Sequence, residues 1–73
     1  MRRRELRDRL HEALGRLAEA DREVLVLRFL EDLSTRELAA VLSISDSAVK
    51  MRQLRALQRL RNLLGDELAE ELR

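Results

Sequence analysis

Residues 34–56 read STRELAAVLSISDSAVKMRQLRA, and this stretch contains two helix starts separated by a short break. Ser34 precedes Glu37 by three residues, which is the spacing of a capping box, where each side chain accepts a hydrogen bond from the other residue's backbone N–H. The apolar run that ends at Leu42 therefore predicts a short helix. Ser45 predicts the N-cap of a second helix, and Asp46 places a negative charge near the positive end of that helix.

The second of these helices is predicted to be long. Its helical pattern runs from about 46 to 64, and Gly65 is predicted to end it. The break between the two helices, at about 43–45, is short enough for a helix-turn-helix over about 34–64. In that motif the second helix enters the major groove of DNA.

The residues before this stretch predict two more helices. Leu6, Leu10, Ala13, Leu14 and Leu17 recur at spacings of three and four, which predicts a helix over about 3–17. A further helix is predicted over about 20–31 after a soft break. The fold class is thus all-α: a small four-helix domain, residues 1–73, with a C-terminal helix-turn-helix and a long recognition helix.

Composition excludes several function classes. The 73 residues contain no cysteine and one histidine, so neither a disulfide framework nor a thiolate metal site is expected, and no cofactor is predicted. No apolar run is long enough to span a membrane, and the basic N-terminus lacks the apolar stretch of a secretory signal, so the cytoplasm is the expected location. No nucleophile–base pair or phosphate loop appears, which argues against an enzyme.

A helical wheel separates the long helix into two faces. At 100° per residue one face is a continuous apolar stripe. Its members are Val49, Ala56, Leu57, Leu60, Leu63 and Leu64. The opposite face should be polar if it only meets solvent, yet it places Met51 and Leu54 between Lys50 and Arg55.

That mixture of charge and apolar surface suits DNA. Residues 46–62 hold Lys50 and four arginines against Asp46, which is the most basic segment of a chain whose net charge is only +1. Arginine and lysine can donate to guanine, and apolar side chains can touch thymine methyl groups. The predicted DNA-binding residues are Arg36, Ser45, Ser47, Lys50, Met51, Leu54 and Arg55.

Three ordered motifs point to one family. REVLVLR at 22–28, LSTRELAAVLSIS at 33–45 and AVKMRQLRALQRLR at 48–61 closely resemble region four of bacterial RNA polymerase sigma factors, nearest to the extracytoplasmic-function group. The resemblance implies binding to the minus-thirty-five promoter element and docking on the flap of the polymerase β subunit. It also implies that Lys50, Met51, Leu54 and Arg55 face the DNA. Glycine is common in this family where Ser43 stands.

Two other interpretations remain open from the sequence. A LuxR-type output domain shares the REVL motif and the helix-turn-helix pattern. A protein-interaction module, such as the target of an anti-sigma protein or a polymerase-binding cofactor with no DNA role, would use Met51 and Leu54 without DNA. The partners expected are therefore double-stranded promoter DNA and the RNA polymerase core, with an anti-sigma protein as a further one and no membrane.

Overall fold

The computed structural model describes the backbone of residues 2–71 and the side chains of residues 2–66. Within that part of the chain the secondary structure is entirely helical. Helix α1 spans Arg3–Arg16, α2 spans Glu19–Leu25, a π-helix spans Val26–Leu30, α3 spans Thr35–Leu42 and α4 spans Asp46–Glu71. The predicted all-α class with four helices is confirmed.

The capping box predicted at the start of α3 is present. The Ser34 hydroxyl accepts from the Glu37 backbone N–H at 3.1 Å, and the Glu37 carboxylate accepts from the Ser34 N–H at 2.9 Å. Hydrogen bonding from Ser34 to the Glu37 carboxylate, first from the backbone N–H and then from the side-chain hydroxyl, lowers the pKa of Glu37 because it favours the charged form. The reciprocal bonds satisfy two backbone donors that the first turn of a helix leaves free.

The predicted end of the long helix was wrong. Helix α4 continues through Gly65 to Glu71, and Gly65 does not adopt the positive φ with which glycine usually ends a helix. Glycine inside a helix costs only about 1 kcal/mol relative to alanine. From Glu67 to Glu71 the residues are good helix formers, so the helix can continue through the glycine.

The second predicted helix, 20–31, is present but not uniform. It begins as α2 and widens into the π-helix, where the Glu31 N–H donates to the Val26 carbonyl, five residues back, at 2.9 Å. Asp32 follows with a φ of 59°, and the Leu33 N–H donates to the Leu27 carbonyl at 3.0 Å. The wide turn and the positive φ together redirect the chain toward α3.

Two buried clusters form the core. The first, called here the helix-turn-helix cluster, consists of Val24, Leu38, Ala39 and Val49. The second, called the α1 cluster, consists of Leu17, Leu25 and Ala56. Val24 and Leu25 are neighbours in sequence yet belong to different clusters, so α2 lies between the two halves of the core. Helix α4 contributes to both clusters, and it packs against α1, α2 and α3.

Candidate nucleic-acid interface

The start of α4 is held by the turn that precedes it. Ser43 ends α3 in the left-handed conformation, with φ of 57°, and the Ile44 N–H donates to the Ala39 carbonyl at 3.0 Å. Ser45 then caps α4, because its hydroxyl accepts from the Ala48 N–H at 3.0 Å. The predicted turn at 43–45 and the predicted Ser45 cap are both confirmed. They set where the first turn of α4 begins.

The rotation of α4 about its own axis is set by two residues. Val49 and Ala56 are both completely buried, Val49 in the helix-turn-helix cluster and Ala56 in the α1 cluster. They lie seven residues apart, which is close to two helical turns. Because the same side of α4 is buried at both points, the opposite side must face outward along this length.

That outward side carries the predicted DNA-binding residues of α4. Met51 is 49% exposed and Leu54 is 52% exposed, and the remaining members are exposed as well. We call this surface the reading face. It consists of Ser47, Lys50, Met51, Leu54 and Arg55. The helical spacing places Met51 and Leu54 near its centre and the two cations at its edges.

The other two predicted residues lie outside the reading face. Arg36 is exposed in the first turn of α3, on the other helix of the motif. Ser45 is exposed at the N-cap of α4, where its oxygen already accepts a backbone hydrogen bond. Its hydroxyl hydrogen can still donate. All seven predicted residues are therefore accessible to a partner.

The cations of the basic segment divide into two kinds. Arg59 donates from Nη1 to Asp21 Oδ2 at 2.6 Å and so ties α4 to α2. Among the described side chains, Lys50 and Arg55 form no ion pair. Arg59 belongs to the same basic run in the sequence, but the structure gives it an internal acidic partner. The two cations on the reading face keep their charge for an external anion.

An apolar groove is the main feature that the sequence did not predict. It has a volume of about 230 Å³, and its lining is entirely apolar. Leu10, Leu14, Leu25, Val26, Phe29, Leu30, Leu57 and Leu60 line it. Leu57 was predicted to lie on the buried stripe, but it lines this groove and is 38% exposed.

The π-helix forms one wall of this groove. Phe29 is 51% exposed and Leu30 is 70% exposed, so the widened turn presents both side chains outward. The Arg28 guanidinium lies 5.4 Å from the centre of the Phe29 ring and donates to the Leu33 carbonyl at 3.1 Å. Its Nε is buried without a hydrogen-bond partner. In the sequence, the only signal for this second surface was the succession of two large apolar residues at 29 and 30. Neighbouring residues of a helix point in different directions, so both cannot face the same core.

Other kinds of site find no support in the described residues. No group of three His, Asp or Glu side chains among them comes together as a metal site would require. His11, expected at the surface, is exposed. Along the described helices, none combines the length and apolar composition of a membrane span.

Comparison with known proteins agrees with the helix-turn-helix geometry. The model of the family "Sigma-70, region 4" matches residues 13–62, which contain α2, α3 and the reading face. This match favours the sigma interpretation over the LuxR-type one. A comparison with solved structures gives no significant match.

Three curated relatives illustrate the similarity. The chain is 40% identical over 60 residues to RNA polymerase sigma factor FliA of Escherichia coli, covering 82% of the chain and 25% of the relative. It is 40% identical over 58 residues to RNA polymerase sigma factor SigV of Bacillus subtilis, covering 80% of the chain and 35% of the relative. It is 43% identical over 54 residues to ECF RNA polymerase sigma factor SigD of Mycobacterium bovis, covering 74% and 26%.

The similarity is confined to one part of these relatives. The matched segment spans about a quarter to a third of their length. Of these three relatives, SigD carries the extracytoplasmic-function label in its name. The family match covers more than half of the 73 residues and includes both helices of the motif, and the chain therefore belongs to the sigma-70 region 4 family.

Proposed function

We propose that this chain binds promoter DNA at the minus-thirty-five element and also binds RNA polymerase, so that it connects the two during transcription initiation. The observation that carries the proposal is the reading face, which is exposed on the helix that follows the helix-turn-helix turn. The family match includes this helix as far as residue 62. The role is one of binding, without catalysis by the chain itself.

The geometry supports a division between reading and positioning. Lys50 and Arg55 flank the centre of the reading face, where they can donate to base edges or to nearby phosphates. Ser45 lies at the N-terminus of α4, where backbone N–H groups and the helix dipole favour an anion. Arg36, on α3, would contact the DNA backbone beside them. Phosphate contacts of this kind hold the helix in register, while side chains toward the groove select the sequence.

The apolar groove supports the attachment to polymerase. Its walls come from α1, from Leu25 of α2, from the π-helix and from Leu57 and Leu60 of α4, and none of its lining residues belongs to the reading face. A wholly apolar groove fits the apolar side of a helix from a partner protein. We propose that the flap of the polymerase β subunit occupies it. Because the two surfaces use different residues, one domain can hold DNA and polymerase at the same time.

DNA reading is tested with the 73-residue chain and Arg55→Ala. A duplex selected by the wild-type protein from a random pool serves as the promoter probe, and a scrambled duplex of equal length serves as the reference. A bidentate base contact predicts that Arg55→Ala weakens binding to the selected duplex by about 1–3 kcal/mol and to the scrambled duplex by much less. Both titrations are run at matched salt, since phosphate contacts make affinity depend on salt.

The matched control for this experiment is Arg52→Ala. Arg52 is exposed on α4 and neighbours Arg55 at a spacing of three, but it lies about 130° around the helical wheel from the centre of the reading face. It should cause a small loss that is equal on both duplexes. Equal losses from Arg55→Ala on both duplexes would assign Arg55 to positioning, and no loss on either would remove the reading face from the DNA.

Polymerase docking is tested with Leu30→Glu, which places a charge on the most exposed residue of the groove wall. This variant should lose capture by an immobilised β-flap fragment while its DNA affinity stays unchanged. Val41→Glu is the matched control, because Val41 is 59% exposed and does not line the groove. Unchanged capture of Leu30→Glu would place the polymerase contact elsewhere.

A second candidate function rests on the same groove. Its wholly apolar lining also favours a protein-interaction module that binds an anti-sigma protein and makes no DNA contact. The DNA titration separates the two candidates. A chain that prefers no duplex over another, yet still binds a protein partner in a Leu30-dependent way, would be this module.

A further inference from the structure

The centre of the reading face differs chemically from its edges. Met51 and Leu54 are three residues apart, are both about half exposed, and lie between Lys50 and Arg55. Ser47 is the only polar side chain near this centre in the first turn and a half of α4. The part of the helix best placed to enter a major groove thus presents mainly hydrocarbon and a thioether.

Such side chains can distinguish few features of a base pair. Guanine, adenine and cytosine are recognised in the major groove through hydrogen-bond donors and acceptors. Leucine has neither, and the methionine sulfur is only a weak acceptor. Thymine differs from the other bases because it adds a methyl group at C5, and apolar contact is the interaction that detects it. A hydrogen-bonding base edge left against these residues would instead lose its water without gaining a partner.

The spacing along α4 limits which thymines could be read together. Three residues of an α-helix rise by about 4.5 Å, and side chains at this spacing have Cβ atoms about 5–6 Å apart. Successive bases on one strand are about 3.4 Å apart along the DNA axis. Met51 and Leu54 therefore span one to two base-pair steps.

We infer that Met51 and Leu54 select promoter DNA by contacting the methyl groups of two thymines that are adjacent or separated by one base pair. Lys50 and Arg55 contact guanine or phosphate on either side of this pair. The inference rests on the proposed function, because it names the class of DNA sequence that the reading face would take.

Uracil substitution tests the inference on the wild-type protein. The duplex selected from a random pool is resynthesised with deoxyuridine in place of each thymidine in turn, which removes one methyl and leaves every hydrogen-bonding group unchanged. Uracil at two positions, at most two base-pair steps apart, should weaken binding about fourfold each, the effect expected for one buried methyl group. Uracil at the other positions should leave the affinity unchanged.

Variants then assign each methyl to a side chain. Met51→Ala should abolish the effect of uracil at one of the two positions, and Leu54→Ala at the other. Both residues are half exposed, so the substitutions should leave the fold intact, and circular dichroism checks this. Gln58→Ala is the matched control: Gln58 is exposed one turn after Leu54, and this variant should keep both uracil effects.

The outcomes separate this inference from the proposed function. A wild-type protein that prefers its selected duplex over the scrambled one, but tolerates uracil at every position, would overturn the methyl contact alone. Uracil effects that persist in both alanine variants would likewise overturn it, since other residues would then read the methyls. A protein with no preference for any duplex would overturn the proposed function itself.

Discussion

Ser43 adopts the left-handed backbone conformation, with φ of 57°, at the point where α3 ends. A β-carbon in this region costs about 1 kcal/mol or more, a penalty that glycine avoids. We expect Ser43→Gly to raise the free energy of unfolding by up to about 1 kcal/mol, and urea titration measures it. Ala40→Gly, inside α3 and exposed, should lower it by about 1 kcal/mol. A Ser43→Gly variant no more stable than the wild type would show that the left-handed conformation of Ser43 does not destabilise the fold.

Leu38 of α3 and Val49 of α4 both belong to the helix-turn-helix cluster, and both are completely buried. An aspartate at either position would bury a carboxylate without a partner, which costs several kcal/mol. We expect Leu38→Asp and Val49→Asp each to abolish the cooperative thermal transition seen by circular dichroism. Val41→Asp is the control, because Val41 is 59% exposed, and it should melt near the wild-type temperature. Normal melting of either core variant would show that the core lies elsewhere.

The capping box gives α3 a dependence on pH. Hydrogen bonds from Ser34 hold the pKa of Glu37 below its ordinary value of 4.5. A lowered pKa in the folded state means that this stabilisation is complete above 4.5 and is lost as the pH falls through the lower, folded value. A carboxyl carbon titration by NMR should show this low pKa. Ser34→Ala should raise the pKa of Glu37 only partly, because the backbone N–H of residue 34 still donates to the carboxylate. A Glu37 pKa at its ordinary value in the wild type would show that the capping box is absent in solution.

Gly65 lies inside α4 at a position where a larger side chain would fit without a clash. A β-carbon built at Gly65 has nothing within 4 Å, and the residue does not have positive φ. We expect Gly65→Ala to stabilise the domain by up to about 1 kcal/mol, through the higher helix propensity of alanine. Chemical denaturation gives the value. If Gly65 ended the helix in solution with a left-handed conformation, the same substitution would destabilise it.

The starts of the helices were easier to predict from the sequence than their ends. The starts of α3 and α4 were predictable because Ser34, Glu37 and Ser45 form local hydrogen bonds that leave a clear pattern of residue types. The end of α4 was not, since glycine at position 65 is compatible with both a stop and a continuing helix. The π-helix has no comparable signature in its residue types, and residues 26–30 pack mainly against α2 and α3.

At the scale of the whole molecule, α2 and α4 join the two core clusters. Leu25 is 4% exposed in the α1 cluster, and its neighbour Val24 lies in the helix-turn-helix cluster. We expect Leu25→Ala to cost about 2–5 kcal/mol and to lower the melting midpoint of α3 as much as that of α1. Residue-resolved NMR melting curves test this. A midpoint that falls for α1 while that of α3 stays unchanged would show two independently folding halves.

The two surfaces of the molecule were not equally visible in the sequence. The reading face could be predicted because all its residues lie on one helix. A helical wheel shows which residues share a face even when the rest of the fold is unknown. The apolar groove could not be predicted, because its walls come from four separate elements, α1, α2, the π-helix and α4. Leu10, Phe29 and Leu57 are far apart in the sequence, and only the folded chain brings them to the same groove.

Helix α4 carries the reading face over residues 47–55 and then contributes Leu57 and Leu60 to the groove. Met51 and Leu57 are six residues apart on this one helix, a fixed offset of about 9 Å along its axis. Under the proposed function, a promoter element displaced by one base pair would carry the whole domain about 3.4 Å along the DNA and turn it around the duplex. A continuous helix cannot absorb such a shift between its own two surfaces. Tolerance to variable promoter spacing would therefore have to come from the polymerase and the DNA, because this domain keeps the distance between its DNA-binding and polymerase-binding surfaces constant.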